Sequence, residues 1–325
     1  KENFKITSGW RQKKGQKIYI WNPASQAGES HCYNPLGQIS NEPQKMVDDV
    51  QRIAHLLLPI DEFWSMEART LFVGIVLWLA LDEEQKLTFG DIVRVLRAEN
   101  IHHKLAKLLD TEGTQLHPVA FMNINAFLQK SSSEISGVLS LLNSALSLWT
   151  NPLIDKITSK SDFDFNTIVE DKITIYICVS PDNVERLKPL LCIFYDQLVS
   201  ALCNRETSSL TGDATILFMM DDFPLIGCAK SLQSFIGYSR SYGVQFCTVT
   251  QTPFQIDNAQ GHYTFLSNAS YRIAYAPNDP ETCSLISKTT HVQETKGMSK
   301  CMDEAQVFQL PQDKQILQIE TQPAR

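Results

Sequence analysis

Two adjacent carboxylates, Asp221 and Asp222, stand directly after the run "TILFMM" (215–220). The run has the length and composition of a buried strand, and in open α/β sheets ligands bind beyond the carboxyl ends of the strands. An acid at that place suits a hydrated magnesium ion carried by a nucleotide. A second acid one residue on suits polarisation of an attacking water. Gln251 ends another apolar run, "VQFCTVT" (244–250), with one helical stretch between. Its amide would sense or orient a γ-phosphate. The simpler reading of Asp221-Asp222 is a strand that stops at a turn; Gln251 in the matching position favours the nucleotide chemistry. Arg240, in "GYSRSYG" (237–243), closes the helix before that second run. A cation there is favourable through the helix dipole alone. In a ring of subunits the same residue would reach a neighbour's phosphate as an arginine finger. A third β-rich run, "ITIYICVS" (173–180), delivers Ser180.

A phosphate cradle would read G-x-x-x-x-G-K-[ST]. No Gly-Lys dipeptide occurs among the 14 glycines, so the nucleotide reading expects the cradle upstream of Lys1. The remaining reactive residue types form no comparable set. His102, His103 and His117 lack acidic or cysteine partners at ligand spacing and read as surface or core histidines. Eight cysteines contain no C-x-x-C pair. Cys178 and Cys247 lie in strand-like runs, Cys192 and Cys203 in a helical one, and all read as buried structural thiols in a reducing compartment. "WRQKKGQK" (10–17) reads as a solvated turn, with a nucleic-acid or lipid contact as the alternative.

The elements that must hold these residues follow from periodicity. At 325 residues and 43% hydrophobic, the chain can bury the cores of two domains. Its net charge of −7 gives no overall basic footprint of a nucleic-acid binder, though a local one remains open. The longest apolar run, Leu71 to Leu81, is too short to span a bilayer. "KIYIWNP" (17–23) predicts a strand. From there to about residue 165 no strand is expected. Met46, Val47, Val50, Ile53, Ala54 and Leu57 follow helical spacing, as do Ile135, Val138, Leu139, Leu142, Leu146 and Trp149. Residues 62–81, 89–98, 101–109 and 117–130 also read as helices, and "QKSSSE" (129–134) as a loop with a helix cap. After residue 170, strands at 173–180, 215–220, 244–250, 271–276 and 315–320 alternate with helices. One helix starts at Pro189, and another stops at Gly243. This is the pattern of a mostly parallel α/β sheet interrupted by a helical block. The expected division is 1–40, the first part of a nucleotide-binding domain; 41–165, an inserted all-α domain; and 166–325, the remainder.

Several segments together resemble one family, the type IV secretion coupling proteins, ATPases that feed DNA or protein into conjugation-like channels. Lys1-Glu2 and "TSGWR" (7–11) match the end of the family's Asp-x-Lys-Gly-Glu segment and its following run. "YNPL" (33–36), "FWSMEAR" (63–69), "MMDDFPLIG" (219–227), "SRSYGVQF" (239–246), "TQTPFQI" (250–256) and "MDEAQVFQLPQDKQIL" (302–317) match further segments in the same order. The resemblance implies a RecA-like P-loop NTPase sheet carrying an inserted all-α domain, with ATP and Mg2+ as cofactors. It implies an upstream Walker A loop and N-terminal membrane helices anchoring a homohexamer at the cytoplasmic face of the bacterial inner membrane. It implies as partners the channel subunits, adaptor or chaperone proteins, and either effector proteins or a relaxase with single-stranded DNA. On this resemblance Asp221 binds magnesium, Asp222 activates water and Gln251 senses the γ-phosphate. The family carries Asp-Glu where this chain has Asp221-Asp222, and the shorter side chain would place a water less well. Two other readings stand beside it: a docking platform that hydrolyses nothing, and another RecA-like DNA translocase.

Overall fold

The computed structural model describes residues 2–25, 30–81, 87–168, 171–204, 216–221, 230–253, 266, 268–289, 291–293 and 299–319. The chain divides into two compact units, Lys1–Asn204 and Arg205–Arg325.

The first unit opens with α1 (Glu2–Lys13) and β1 (Lys17–Trp21). A helical block follows: α2 (Pro43–Leu57), α3 (Phe63–Leu79), α4 (Phe89–Leu96), α5 (Ile101–Glu112), α6 (Pro118–Leu128), α7 (Ser132–Ala145) and α8 (Pro152–Ile157). The chain then returns as β2 (Ile173–Ile177), which pairs in parallel with β1 from Lys17↔Ile173 to Trp21↔Ile177, and continues into α9 (Pro181–Cys203). The first strand and its partner thus flank the helical block in sequence and lie side by side in space.

An aromatic joint holds this unit together. Trp21, at the end of β1, is fully buried and stacks on Phe194 of α9 at 4.4 Å. Tyr33 is also fully buried, stacked on Phe163 at 5.6 Å and edge-on to Phe194 at 5.0 Å. Its hydroxyl donates to Gln197, whose Nε2 donates to the Pro35 carbonyl at 2.8 Å. Burial pushes the Tyr33 phenol well above its ordinary pKa, helped by Asp164 and Asp196. The Asn34 side chain accepts from Leu36 N at 3.1 Å and donates to the Leu87 carbonyl at 2.8 Å. "YNPL" is therefore a buried clasp whose polar atoms are paired, as burial requires.

Inside the helical block α3 is buried on nearly every side, the signature of a central helix. A Cβ at Gly74 would meet Asn123 Cβ and Ile124 Cγ1 of α6 at 3.1 Å, so glycine permits this close crossing. Within "FWSMEAR", Glu67 pairs with Lys130 at 2.7 Å. Arg69 is buried; it donates to His55, to the Ile60 carbonyl at 3.2 Å and to Asp61 Oδ1 at 2.6 Å. It thereby pins the turn between α2 and α3. Reciprocal capping boxes start α4, through Thr88 and Asp91, and α7, through Ser131 and Glu134; the second is the cap expected in "QKSSSE".

The second unit contains β3 (Ile216–Met220), α10 (Lys230–Ile236), β4 (Val244–Thr248), β5 (Tyr271–Ala274), α11 (Pro280–Thr289), β6 (His291–Gln293), β7 (Ser299–Cys301), α12 (Glu304–Phe308) and β8 (Ile316–Ile319). β3 pairs with β4 in parallel, whereas β5–β8 and β6–β7 are antiparallel. A small core of Cys283, Ile286, Val307 and Ile316 joins α11, α12 and β8.

Three details differ from the expectations. The helix read as starting at Pro189 begins at Pro181, which occupies the first turn and leaves Pro189 in the interior. An interior proline costs about 3 kcal/mol. Burial of Leu187, Leu190, Leu191, Ile193 and Phe194 around it offsets that cost. The cluster at 10–17 is the end of α1 and a turn at Gly15, whose φ of 79° suits glycine. Cys247 is exposed, because strand alternation places it beside Met219 on the face of β3–β4 turned away from α10.

Candidate functional site

The strand pair β3–β4 sets the geometry of the predicted site. Phe218 and Phe246 are in register and stack at 4.9 Å, and the buried Phe235 of α10 meets Phe246 edge-on at 6.2 Å. One face is thus fastened to a helix. At the carboxyl end, Met220 pairs with Thr248, and Val249 N donates to the Met220 carbonyl at 2.9 Å. That bond carries the pairing one step past β4, so both strands leave the sheet at the same edge.

Asp221 is the next residue after β3. It is exposed and makes no hydrogen bond or ion pair among the described residues. Gln251 stands three residues past β4, also exposed. Parallel pairing therefore brings Asp221 and Gln251 to one strand-end edge, as the sequence pattern predicted. Asp222, the expected water-activating acid, lies outside the described residues.

Arg240 is placed elsewhere. It sits in the 3-10 turn Ser239–Tyr242, which Gly243 ends with a φ of 66° before β4 begins. It therefore lies at the amino-terminal end of β4, the end opposite to Gln251. Five strand residues at about 3.3 Å each separate the two ends by roughly 16 Å. Arg240 is exposed and does not join Asp221 and Gln251 within one subunit. Ser180 occupies the N-cap position of α9 in the first unit, where its Oγ accepts from Asn183 Nδ2 at 3.0 Å. Its hydroxyl also bonds Asp182, which lowers that carboxyl's pKa.

The loop carrying Gln251 has supports that sequence reasoning missed. Thr250 Oγ1 donates to the Thr252 carbonyl at 2.7 Å. Thr282 Oγ1, on the first turn of α11, donates to Thr252 Oγ1 at 3.2 Å. Thr282 is buried, and its backbone N–H donates to Asp279 Oδ1 at 2.7 Å. Thr252, Thr282 and Asp279 thus tether the loop to a helix start. The motif Asp-x-x-Thr before an apolar helical stretch was the available signal.

Chemically the edge offers a solvent-facing carboxylate and a nearby amide. A carboxylate is the hard oxygen donor that Mg2+ accepts, usually through its retained waters. Asp221 fits that role. The histidines contribute otherwise: His117 Nδ1 accepts from Val119 N at 3.2 Å, capping α6.

The chain is similar to several known proteins. The whole chain, residues 1–325, matches the family model for type IV secretory system conjugative DNA transfer. The conjugal transfer protein TraG of Escherichia coli is 26% identical over 314 residues, covering 89% of this chain and 49% of that protein. Protein VirD4 of Rhizobium radiobacter is 29% identical over 317 residues, covering 94% and 45%. The chain spans about half the length of these curated relatives. Among solved structures, the plasmid coupling protein TrwB in complex with ADP and Mg2+ superposes with a TM-score of 0.66 at 15% identity, covering 94% of this chain and 72% of that one. TrwB with the GTP analogue GDPNP gives 0.66 at 16% identity. This likeness establishes the fold as RecA-like. The chain belongs to the type IV secretory system conjugative DNA transfer family.

Proposed function

We propose that this chain is the motor part of an ATPase that delivers substrates to a type IV secretion channel. The observation that carries the reading is the parallel pairing of β3 and β4, which sets Asp221 and Gln251 at one strand-end edge. Support comes also from TrwB, solved in complex with ADP and Mg2+ and with nucleotide analogues. On this reading Asp221 holds hydrated Mg2+ on ATP, Asp222 polarises the attacking water and Gln251 contacts the γ-phosphate. The bound ion would neutralise charge that develops on the phosphates. Arg240 acts across a subunit interface in a homohexamer; its place at the far end of β4 favours a neighbour's nucleotide over its own.

The division of labour is 1–40 and 166–325 for the nucleotide-binding domain and 41–165 for the inserted all-α domain, which meets adaptors and cargo. Cargo is a relaxase with single-stranded DNA or effector proteins. Among the described residues no helix is long and apolar enough to cross a membrane. The protein works at the cytoplasmic face of the bacterial inner membrane. The test is substrate transfer between cells that carry the full-length protein. Asp221→Asn abolishes transfer at an unchanged protein level. Transfer at the wild-type rate would overturn the proposal.

A further inference from the structure

Among the described residues, α1 packs on the fold through one face. Phe4 packs edge-on against Tyr176 at 5.2 Å, Thr7 Oγ1 hydrogen-bonds the Tyr176 hydroxyl at 2.6 Å, and Arg11 donates to Gln16 Oε1 at 3.4 Å. These residues fasten α1 to β2 and to the turn before β1. The opposite face carries Ile6, Trp10 and Lys13 at i, i+4 and i+7. Ile6 is 70% and Trp10 59% exposed, and Lys14 Nζ lies 5.6 Å from the Trp10 ring centre. No ion pair among the described residues involves Lys5, Lys13 or Lys14.

Charge is concentrated here against the trend of the chain. The first 17 residues hold six lysines and arginines and one glutamate, a net +5, in a protein whose total is −7. A solvated turn needs no exposed indole between cations. Lysines without an ion pair among the described residues, beside an exposed aromatic ring, match a polyanion that also offers flat apolar surfaces. Single-stranded nucleic acid has both, whereas a duplex keeps its base faces stacked and out of reach. A helix that lies on a lipid surface needs a broad apolar face. Here the outward apolar residues are only Ile6 and Trp10, because Phe4 is turned inward.

We propose that the outer face of α1 binds single-stranded nucleic acid, with Trp10 stacking on a base while Lys13 and Lys14 neutralise phosphates. The choice of nucleic acid rests on the transfer role proposed above; the polyanion chemistry is independent of the Asp221 edge.

The test titrates a fluorescent oligothymidylate with the full-length protein across a series of salt concentrations. Trp10→Ala is expected to weaken binding about fivefold or more, and Trp10→Phe to restore most of it. Lys13→Glu with Lys14→Glu is expected to flatten the slope of log affinity against log salt by about 1.4, or about 0.7 for each phosphate no longer neutralised. Both α1 variants keep the wild-type melting temperature and ATP turnover. Asp221→Asn keeps the oligonucleotide affinity, which separates failure of this site from failure of the nucleotide edge. The proposal is overturned if the wild type does not bind the oligonucleotide, or if affinity and salt slope are unchanged in both α1 variants. It is also overturned if the variants lose binding only to phosphatidylserine vesicles.

Discussion

Arg69 and Arg240 are the same side chain in opposite circumstances. Arg69 is buried between α2 and α3 and spends its donors on His55, Asp61 and a backbone carbonyl. Arg240 projects from an exposed turn before β4. The carboxylates divide the same way. Asp91 closes a capping box with Thr88 and pairs with Arg94, while Asp221 meets no described partner at the end of β3. The segments that resemble the family therefore fall into two kinds. "YNPL" and "FWSMEAR" contain groups that are paired within the fold, and they act as scaffold. The ends of β3 and β4 leave Asp221 and Gln251 exposed, where a ligand can meet them.

If that contrast is right, damage to the scaffold lowers stability, and damage to the strand ends lowers activity alone. The largest stability effect is expected at Trp21, stacked on Phe194. Trp21→Ala should cost about 3–5 kcal/mol in denaturant unfolding of the first unit, through lost burial and the cavity left behind. A loss under about 1 kcal/mol would remove the joint from the scaffold. Arg69→Met should cost about 1–3 kcal/mol, because it strands polar groups of the α2–α3 turn. An unchanged unfolding midpoint would show that the turn holds without it.

A smaller effect should appear with acid. Burial raises the Asp91 and Asp162 carboxyls, but their partners outweigh it. Thr88 and Arg94 do so for Asp91, and the Cys32 N–H with Lys160 for Asp162, leaving both below the ordinary carboxylate value. A lowered folded pKa contributes stability above the unfolded value of about 3.9 and loses it as pH falls through the folded value. The melting temperature of the first unit should hold from neutral pH to about pH 5 and drop below about pH 4. Asp91→Asn with Asp162→Asn should flatten that drop. A drop of the same size in the double variant would place the acid sensitivity elsewhere.

Much of this contrast was legible in sequence. The runs ending at Met220 and Thr248 are short, apolar and β-rich, and Gly243 marks the turn between a helix and a strand, so the strand-end edge could be placed from these residues alone. Ser131 and Glu134 announced their own cap. What escaped depends on partners far apart in the chain. Nothing local says that Tyr33 will reach Gln197, that Thr252 will meet Thr282, or that Arg69 will be buried. Pro181 and Pro189 can each open a helix, and the choice between them is made by packing around Phe194. β6 and β7 are three residues each, too short to show a period. Alternation along β4 located Cys247 on one face, but which face is covered depends on where α10 packs.

The most direct measurement is steady-state ATP turnover by the full-length protein, read beside its thermal unfolding, for Asp221→Asn and for Gln251→Ala. Turnover should fall about a hundredfold or more in the first and substantially in the second, with melting temperatures unchanged. Undiminished turnover in Asp221→Asn, or turnover and melting temperature falling together, would contradict the account of that edge as a nucleotide site set on an independent scaffold.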